Sequence, residues 1–310
     1  MVCQSRASLL VRAVQRIQER AALLLVDATG AQEPVTLRSD DTKGQGWIDY
    51  VAVWPIPGAR ACLDLEVDER GFTQLVLIDF TNTTNVIKMT LTGNDTAAPY
   101  EVVSIAGFND ATGDAFVITT HAGPMERHLY AVNIDKPNVL TPLTTGEGYY
   151  SASVSPRGGF YLLNYQGPDV PTQALYQYHA DGTAPSLVAV VQDNADLKAR
   201  LAGFALPHII YSTLTVNGNG ALHGCSGQGL GRGSANEWVF WPCATLMRAR
   251  TEVNVVELRP PMFDQYTKNA YPMLLRVYGG PSSQLVLKRF SLDWHTHLAS
   301  EKNFVVVMVP

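Results

Sequence analysis

Serine-based acyl transfer on an α/β scaffold needs a nucleophile on a sharp G-x-S-x-G elbow, with an acid and then a histidine later in the chain. No segment of the 310 residues has that pattern. Gly224-Cys-Ser-Gly227 comes nearest, but Gln228 stands where the closing glycine belongs and no strand leads into it. Metal chemistry fares no better. His295 and His297 are two apart on a predicted helix and point to different sides, unlike an H-E-x-x-H pair. His121, His128, His179, His208 and His223 have no carboxylate or cysteine at ligand spacing, and the four cysteines (Cys3, Cys62, Cys225, Cys243) form no C-x-x-C pair. The run Gly218–Gly233 has seven glycines in sixteen residues but no G-K-[ST], so it is not a phosphate loop. No metal is expected. What remains is Tyr271-Pro-Met-Leu-Leu-Arg-Val-Tyr-Gly-Gly-Pro281, which puts the Tyr278 phenol at the end of a strand. Gly279 and Gly280 let the backbone bend there and Pro281 fixes the exit. A donor held on such a turn can face a developing negative oxygen. A plain hydrophobic ring before a turn fits the same residues.

The scaffold that must position this turn is globular. Apolar residues make up 46% and charged residues 16% of the chain, enough to bury a core and too balanced for a disordered, collagen-like or coiled-coil sequence. A net charge of −5 offers no polybasic surface, so nucleic acid and anionic membrane are poor partners. No apolar window reaches the roughly 18 residues of a membrane-spanning helix, and the start lacks the layout of a signal peptide.

Residues 1–204 read as strands. Short apolar runs such as Leu9–Val14, Ala22–Val26, Ala61–Val67, Thr73–Ile78, Ala115–Thr119, Leu129–Ile134 and Phe160–Asn164 alternate with turn clusters, and only Ala195–Leu201 looks helical. An aliphatic strand ending in an acidic or amide residue and a turn recurs at Leu24–Asp27, Val76–Asp79, Ala131–Asp135 and Tyr176–Asp181. A period near 50 residues predicts propeller blades rather than a sandwich, with room for about four units. From residue 205 the texture changes. Strands are expected at Leu206–Val216, Val253–Leu258 and Met273–Val277, then a helix over Leu292–Lys302. Phe304–Val309, continuously apolar, predicts a strand buried on both faces. Strand, turn, helix and buried strand are the opening of an α/β domain, and the chain is expected to stop inside that domain.

The phrase Tyr271–Pro281, continued through Phe290-Ser-Leu-Asp-Trp294 and Leu298-Ala-Ser300, resembles the start of the catalytic domain in the dipeptidyl peptidase IV group of the prolyl oligopeptidase family of serine peptidases. Arg259-Pro-Pro-Met-Phe-Asp264, Tyr149–Ser155, Gln166-Gly-Pro168, Gly46-Trp47 and Val14–Gln18 extend the resemblance. It implies a mainly β chain: the C-terminal half of a β-propeller over 1–204, then the truncated N-terminal part of an α/β-hydrolase domain over 205–310. It further implies an exopeptidase that releases dipeptides after proline or alanine from peptides with free N-termini, without a cofactor. In that family the nucleophile, acid and base lie beyond the region matched here, and the paired glutamates that grip the substrate amine lie before it. No adjacent acidic pair falls on a predicted helix, and Asp68-Glu69 sits in a turn. Tyr278 matches the tyrosine whose hydroxyl helps form the oxyanion hole, supported by Gly279, Gly280 and Pro281. The chain alone is expected to hydrolyse nothing.

The Gly-rich stretch at about 219–252 departs from the family. It reads either as a surface insertion or, better, as translated intron sequence lying flush between two matching segments. Asn82-Thr-Thr84 and Asn94-Asp-Thr96 are glycosylation acceptors, in keeping with the secreted or membrane-anchored setting that the resemblance implies. It also implies a homodimer in the full-length protein. The alternative is a non-catalytic propeller related to the same family that binds protein partners.

Overall fold

The structure is a computed structural model that describes residues 8–44, 46–49, 53–94, 98–216, 231–232, 238–239, 251–266, 271–278 and 283–310. Its first part is a series of antiparallel meanders. One sheet holds β1 (Ser8–Val14), β2 (Arg20–Asp27) and β3 (Val35–Asp41) in the order β1-β2-β3. The second holds β4 (Trp54–Pro55), β5 (Ala61–Val67), β6 (Thr73–Asp79) and β7 (Ile87–Thr90), again in chain order. The third is β8 (Val102–Asn109), β9 (Asp114–Thr119), β10 (His128–Asn133) and β11 (Leu140–Pro142). The fourth is β12 (Tyr150–Val154), β13 (Phe160–Tyr165), β14 (Thr172–Gln177) and β15 (Ser186–Gln192).

Period-2 alternation sends successive side chains to opposite faces, and the inner sheets use both. In β5, Cys62 packs toward the first sheet with Leu10, Leu23, Val76 and Ile78, whereas Leu63 and Leu65 pack toward the third with Val102, Ala115 and Val117. In β9, Phe116 and Ile118 turn the other way onto Tyr161 and Leu163 of the fourth sheet. All six residues of β9 are buried. Four-stranded meanders packed face to face in series are propeller blades. The recurrent acidic or amide residue closes the third strand of the first three blades, counting β1–β3 as strands two to four. Its side chain accepts from a backbone N–H two residues on: Asp27 from Thr29, Asp79 from Thr81, and Asn133 from Asp135. Asp181 does the same from Thr183 in the turn after β14. The repeat is therefore a turn signal, the side chain mimicking a backbone acceptor.

The short helix α1 (Ala195–Leu201) leads into the second part. There β16 (His208–Val216) and β19 (Thr251–Arg259) pair antiparallel along their full length, from His208 opposite Arg259 to Val216 opposite Thr251. Within the Gly-rich stretch, the two-residue strands β17 (Gly231–Arg232) and β18 (Trp238–Val239) pair with each other. Residues 219–230, 233–237 and 240–250, including Gly224–Gly227, lie outside the described residues. β20 (Met273–Val277), α2 (Trp294–Glu301) and β21 (Val305–Val309) complete a mixed sheet of order β16-β19-β21-β20, in which β20 and β21 run parallel. Asp293 opens α2 through a capping box with Thr296.

The expectation for the last strand needs correction. Only Val306 and Met308 are buried, on the side where Val286 and Ala299 of α2 pack; Val305, Val307 and Val309 are half-buried. Strands β3, β4, β11 and β15 also went unpredicted.

Candidate functional site

Tyr278 is the first residue after β20, at the carboxyl end of the parallel pair in which Val277 lies opposite Val309. In α/β sheets that end is where ligands bind. The residue is 55% exposed and belongs to no buried cluster. Gly279, Gly280 and Pro281 lie outside the described residues. The chain returns at Ser283, and from there to Phe290 it has no regular secondary structure.

That segment is nonetheless pinned to the propeller. The Lys288 amide donates to the Met125 carbonyl at 3.0 Å and the Phe290 amide to the Gln166 carbonyl at 2.8 Å. Arg127 Nη2 donates to Gln284 Oε1 at 2.7 Å, and Gln284 Nε2 donates to the Pro124 carbonyl at 2.9 Å. Lys288 Nζ lies 2.7 Å from Glu126 and 2.6 Å from Glu147. Backbones come close enough here that glycine is required: a Cβ on Gly167, whose φ is +150°, would stand 2.2 Å from the Phe290 nitrogen. On its other side the segment inserts Val286, fully buried, among Val256, Leu258, Ala299 and Val306.

The electrostatics follow from this packing. Burial would raise the Glu126 carboxyl, but hydrogen bonds from Lys288, His128 and the Gly148 amide outweigh it and hold the group below its ordinary range. Burial would lower Lys288, and its two carboxylate partners lift it above its ordinary value instead. Arg127, only 8% exposed, is lowered by burial. Its guanidinium donates to the Pro124 and Glu126 carbonyls and the Gln284 amide and lies 5.7 Å from the Tyr149 ring centre, and the Glu101 charge opposes the lowering by burial.

His128 corrects a sequence reading. It does have a carboxylate partner, Glu126, with Nε2 3.0 Å from Oε2, while Nδ1 lies 3.0 Å from Thr144 Oγ1. Residues two apart share a face in extended chain, and helical ligand spacing was the wrong template for them. No group of three potential metal ligands occurs among the described residues. His295 faces Asp293 and Arg276, whereas His297 packs on Trp294, so the two do point apart. His223 lies outside the described residues. The Asp68 carboxylate is consumed by its own turn, accepting from the Arg70 and Phe72 amides. Asn82 and Asn94 are exposed at the ends of strands, although Asp95 and Thr96 lie outside the described residues.

The residues that sequence reasoning missed are therefore Glu126, Arg127, Glu147, Gln284 and Lys288. Arg127 and Gln284 are separated by 157 positions, and no local spacing signals such a pair.

Comparison with known proteins places this geometry. The family model described as the dipeptidyl peptidase IV (DPP IV) N-terminal region matches residues 3–172, more than half of the chain. The chain belongs to the dipeptidyl peptidase IV family. The probable dipeptidyl-aminopeptidase B of Emericella nidulans is 31% identical over 322 aligned residues, covering 100% of this chain and 31% of that protein. The dipeptidyl-aminopeptidase B of Aspergillus niger is likewise 31% identical, with 100% and 31% covered. The chain thus spans about a third of the length of these dipeptidyl peptidase IV relatives. The crystal structure of Porphyromonas gingivalis dipeptidyl peptidase 4 shares the fold, with a TM-score of 0.75 at 20% identity over 99% of this chain and 37% of that one. No described helix is long and apolar enough to cross a membrane.

Proposed function

We propose that this chain supplies the propeller wall and one oxyanion donor of a serine-type dipeptidyl peptidase. The full-length enzyme would remove dipeptides, commonly ending in proline or alanine, from peptides with free N-termini. In this reading residues 1–204 are blades that restrict access to peptide ends, and residues 205–310 begin the α/β-hydrolase domain. The nucleophile, acid and base come from elsewhere in the protein. Acyl transfer passes through a tetrahedral intermediate whose oxygen carries the developing charge, and a preorganised donor aimed at that oxygen lowers the barrier by about 3–4 kcal/mol. The observation that carries the proposal is the exposed Tyr278 phenol at the carboxyl end of a parallel strand pair.

The test compares two proteins on a Gly-Pro chromogenic substrate. The 310-residue chain is expected to give no turnover, and the full-length protein containing it to release the chromophore. Turnover by the chain alone would show that its residues hold an unrecognised nucleophile. A folded full-length protein without turnover would instead assign it to the non-catalytic, partner-binding alternative.

A further inference from the structure

We infer that Asn82 is an attachment site for an N-linked glycan at the rim of the second blade. The inference goes beyond the peptidase reading and does not depend on it.

Two acceptor triplets occur in the chain, Asn82-Thr-Thr84 and Asn94-Asp-Thr96, and the structure separates them. The first is wholly described and lies in the connection between β6 and β7. β7 is the last strand of its sheet, which puts this connection at the rim of the blade. Phe80 and Val86 fasten it at either end by packing into the core shared with the first sheet. Between them Thr81, Asn82, Thr84 and Asn85 are exposed, so a bulky group on Asn82 extends into solvent and displaces no core residue.

The local hydrogen bonds suit the chemistry. Asn82 Oδ1 accepts from the Thr84 amide at 3.0 Å and from Thr84 Oγ1 at 2.7 Å. Two donors on the oxygen polarise the carboxamide, while among the described residues no hydrogen bond engages Nδ2. The sugar donor is a lipid-linked oligosaccharide diphosphate. Nδ2 forms a bond to the anomeric carbon of the first sugar, and the bond from that carbon to the diphosphate oxygen breaks, its electron pair leaving with the lipid diphosphate. One carboxamide proton passes to a base. The product keeps Oδ1 as an acceptor, so the modified turn loses neither bond to Thr84.

Asn94 does not carry the same argument. Its amide donates to Asn138 Oδ1 at 3.2 Å, the preceding Gly93 is held by the Tyr100 hydroxyl and Arg70, and Thr96 lies outside the described residues.

The experiment uses the full-length protein purified from the cells that make it. Trypsin cuts after Arg70 and Lys88, which places Asn82 on a peptide without Asn94. Enzymatic removal of N-linked glycans in heavy-oxygen water converts a glycosylated asparagine to a labelled aspartate. Residue 82 is expected to carry the label in most molecules. Expressed in the same cells, Asn82→Gln and Thr84→Ala should each lose the label and migrate as though one glycan lighter, whereas Thr84→Ser should keep both properties of the parent. An unlabelled residue 82 in the parent protein overturns the site, whether or not another asparagine is labelled, and this readout does not depend on any variant folding. Retention of the label in Thr84→Ala would also overturn it, because the threonine hydroxyl would then play no part in recognition.

Discussion

Asp64 has no exposed surface, and its carboxylate is shared by two arginines from the neighbouring blade: Arg12 at 2.5 Å and Arg38 at 2.9 Å. β5 alternates, and Asp64 falls on the same face as Cys62, toward the first sheet. Nothing local announces the pairing, because Arg12 lies 52 positions away. Replacing one member of a buried pair leaves charge uncompensated and typically costs about 3–5 kcal/mol. Asp64→Asn is accordingly expected to lower the urea midpoint sharply, and an unchanged midpoint would show that the two guanidiniums find other partners. The same blindness to distant partners explains why Glu126, Arg127 and Gln284 were invisible in the sequence, whereas the place of Tyr278 at the end of a strand was legible. Its signal is contiguous, a phenol at the junction of an apolar strand and a Gly-Gly-Pro turn.

At the level of elements, the strands that carry the core were readable, whereas several short or polar ones at blade edges were not. Ala61–Val67 has the same bounds in sequence and structure, because burial of five of its seven residues constrains its composition; Met273–Val277 also keeps its bounds, although none of its residues is buried. β11 has three residues, one of them proline, and β3 ends in Arg-Ser-Asp-Asp; edge strands bury little and their sequences are free to be polar. The docking segment 283–290 is the opposite case, lacking any periodic pattern yet held by charge. Its pH dependence follows from Glu126 and Lys288. Glu126 lies below its ordinary 4.5 when folded, so its contribution is present above that pH and lost as pH falls through the folded value. Lys288 lies above its ordinary 10.5, so its contribution is present below that pH and lost as pH rises through the folded value. Exchange protection of 283–290, corrected for intrinsic rates, should therefore drop on acidification below the carboxylate range and hold from there to neutrality. Protection that stayed level through the acid range would detach the ion group from docking.

For the molecule as a whole, blade number and the change of texture near residue 205 came from the sequence. The way the parts are joined did not. A 50-residue period reports a turn motif repeated once per blade, and that survives in any single sequence. The joint between propeller and mixed sheet depends on Gly167 meeting Phe290 and on side chains from both parts, which only the folded chain brings together. In the function proposed above, that joint sets a wall on one side against a donor on the other. The most direct test of the donor is affinity for a dipeptide boronate, which becomes tetrahedral and anionic on a serine nucleophile, measured with the full-length enzyme and its Tyr278→Phe variant. The account predicts that the variant binds the boronate about 100–1000-fold more weakly while KM for the substrate changes little, since the phenol would be used chiefly once the negative charge has formed. Equal boronate affinity in the two proteins would contradict it.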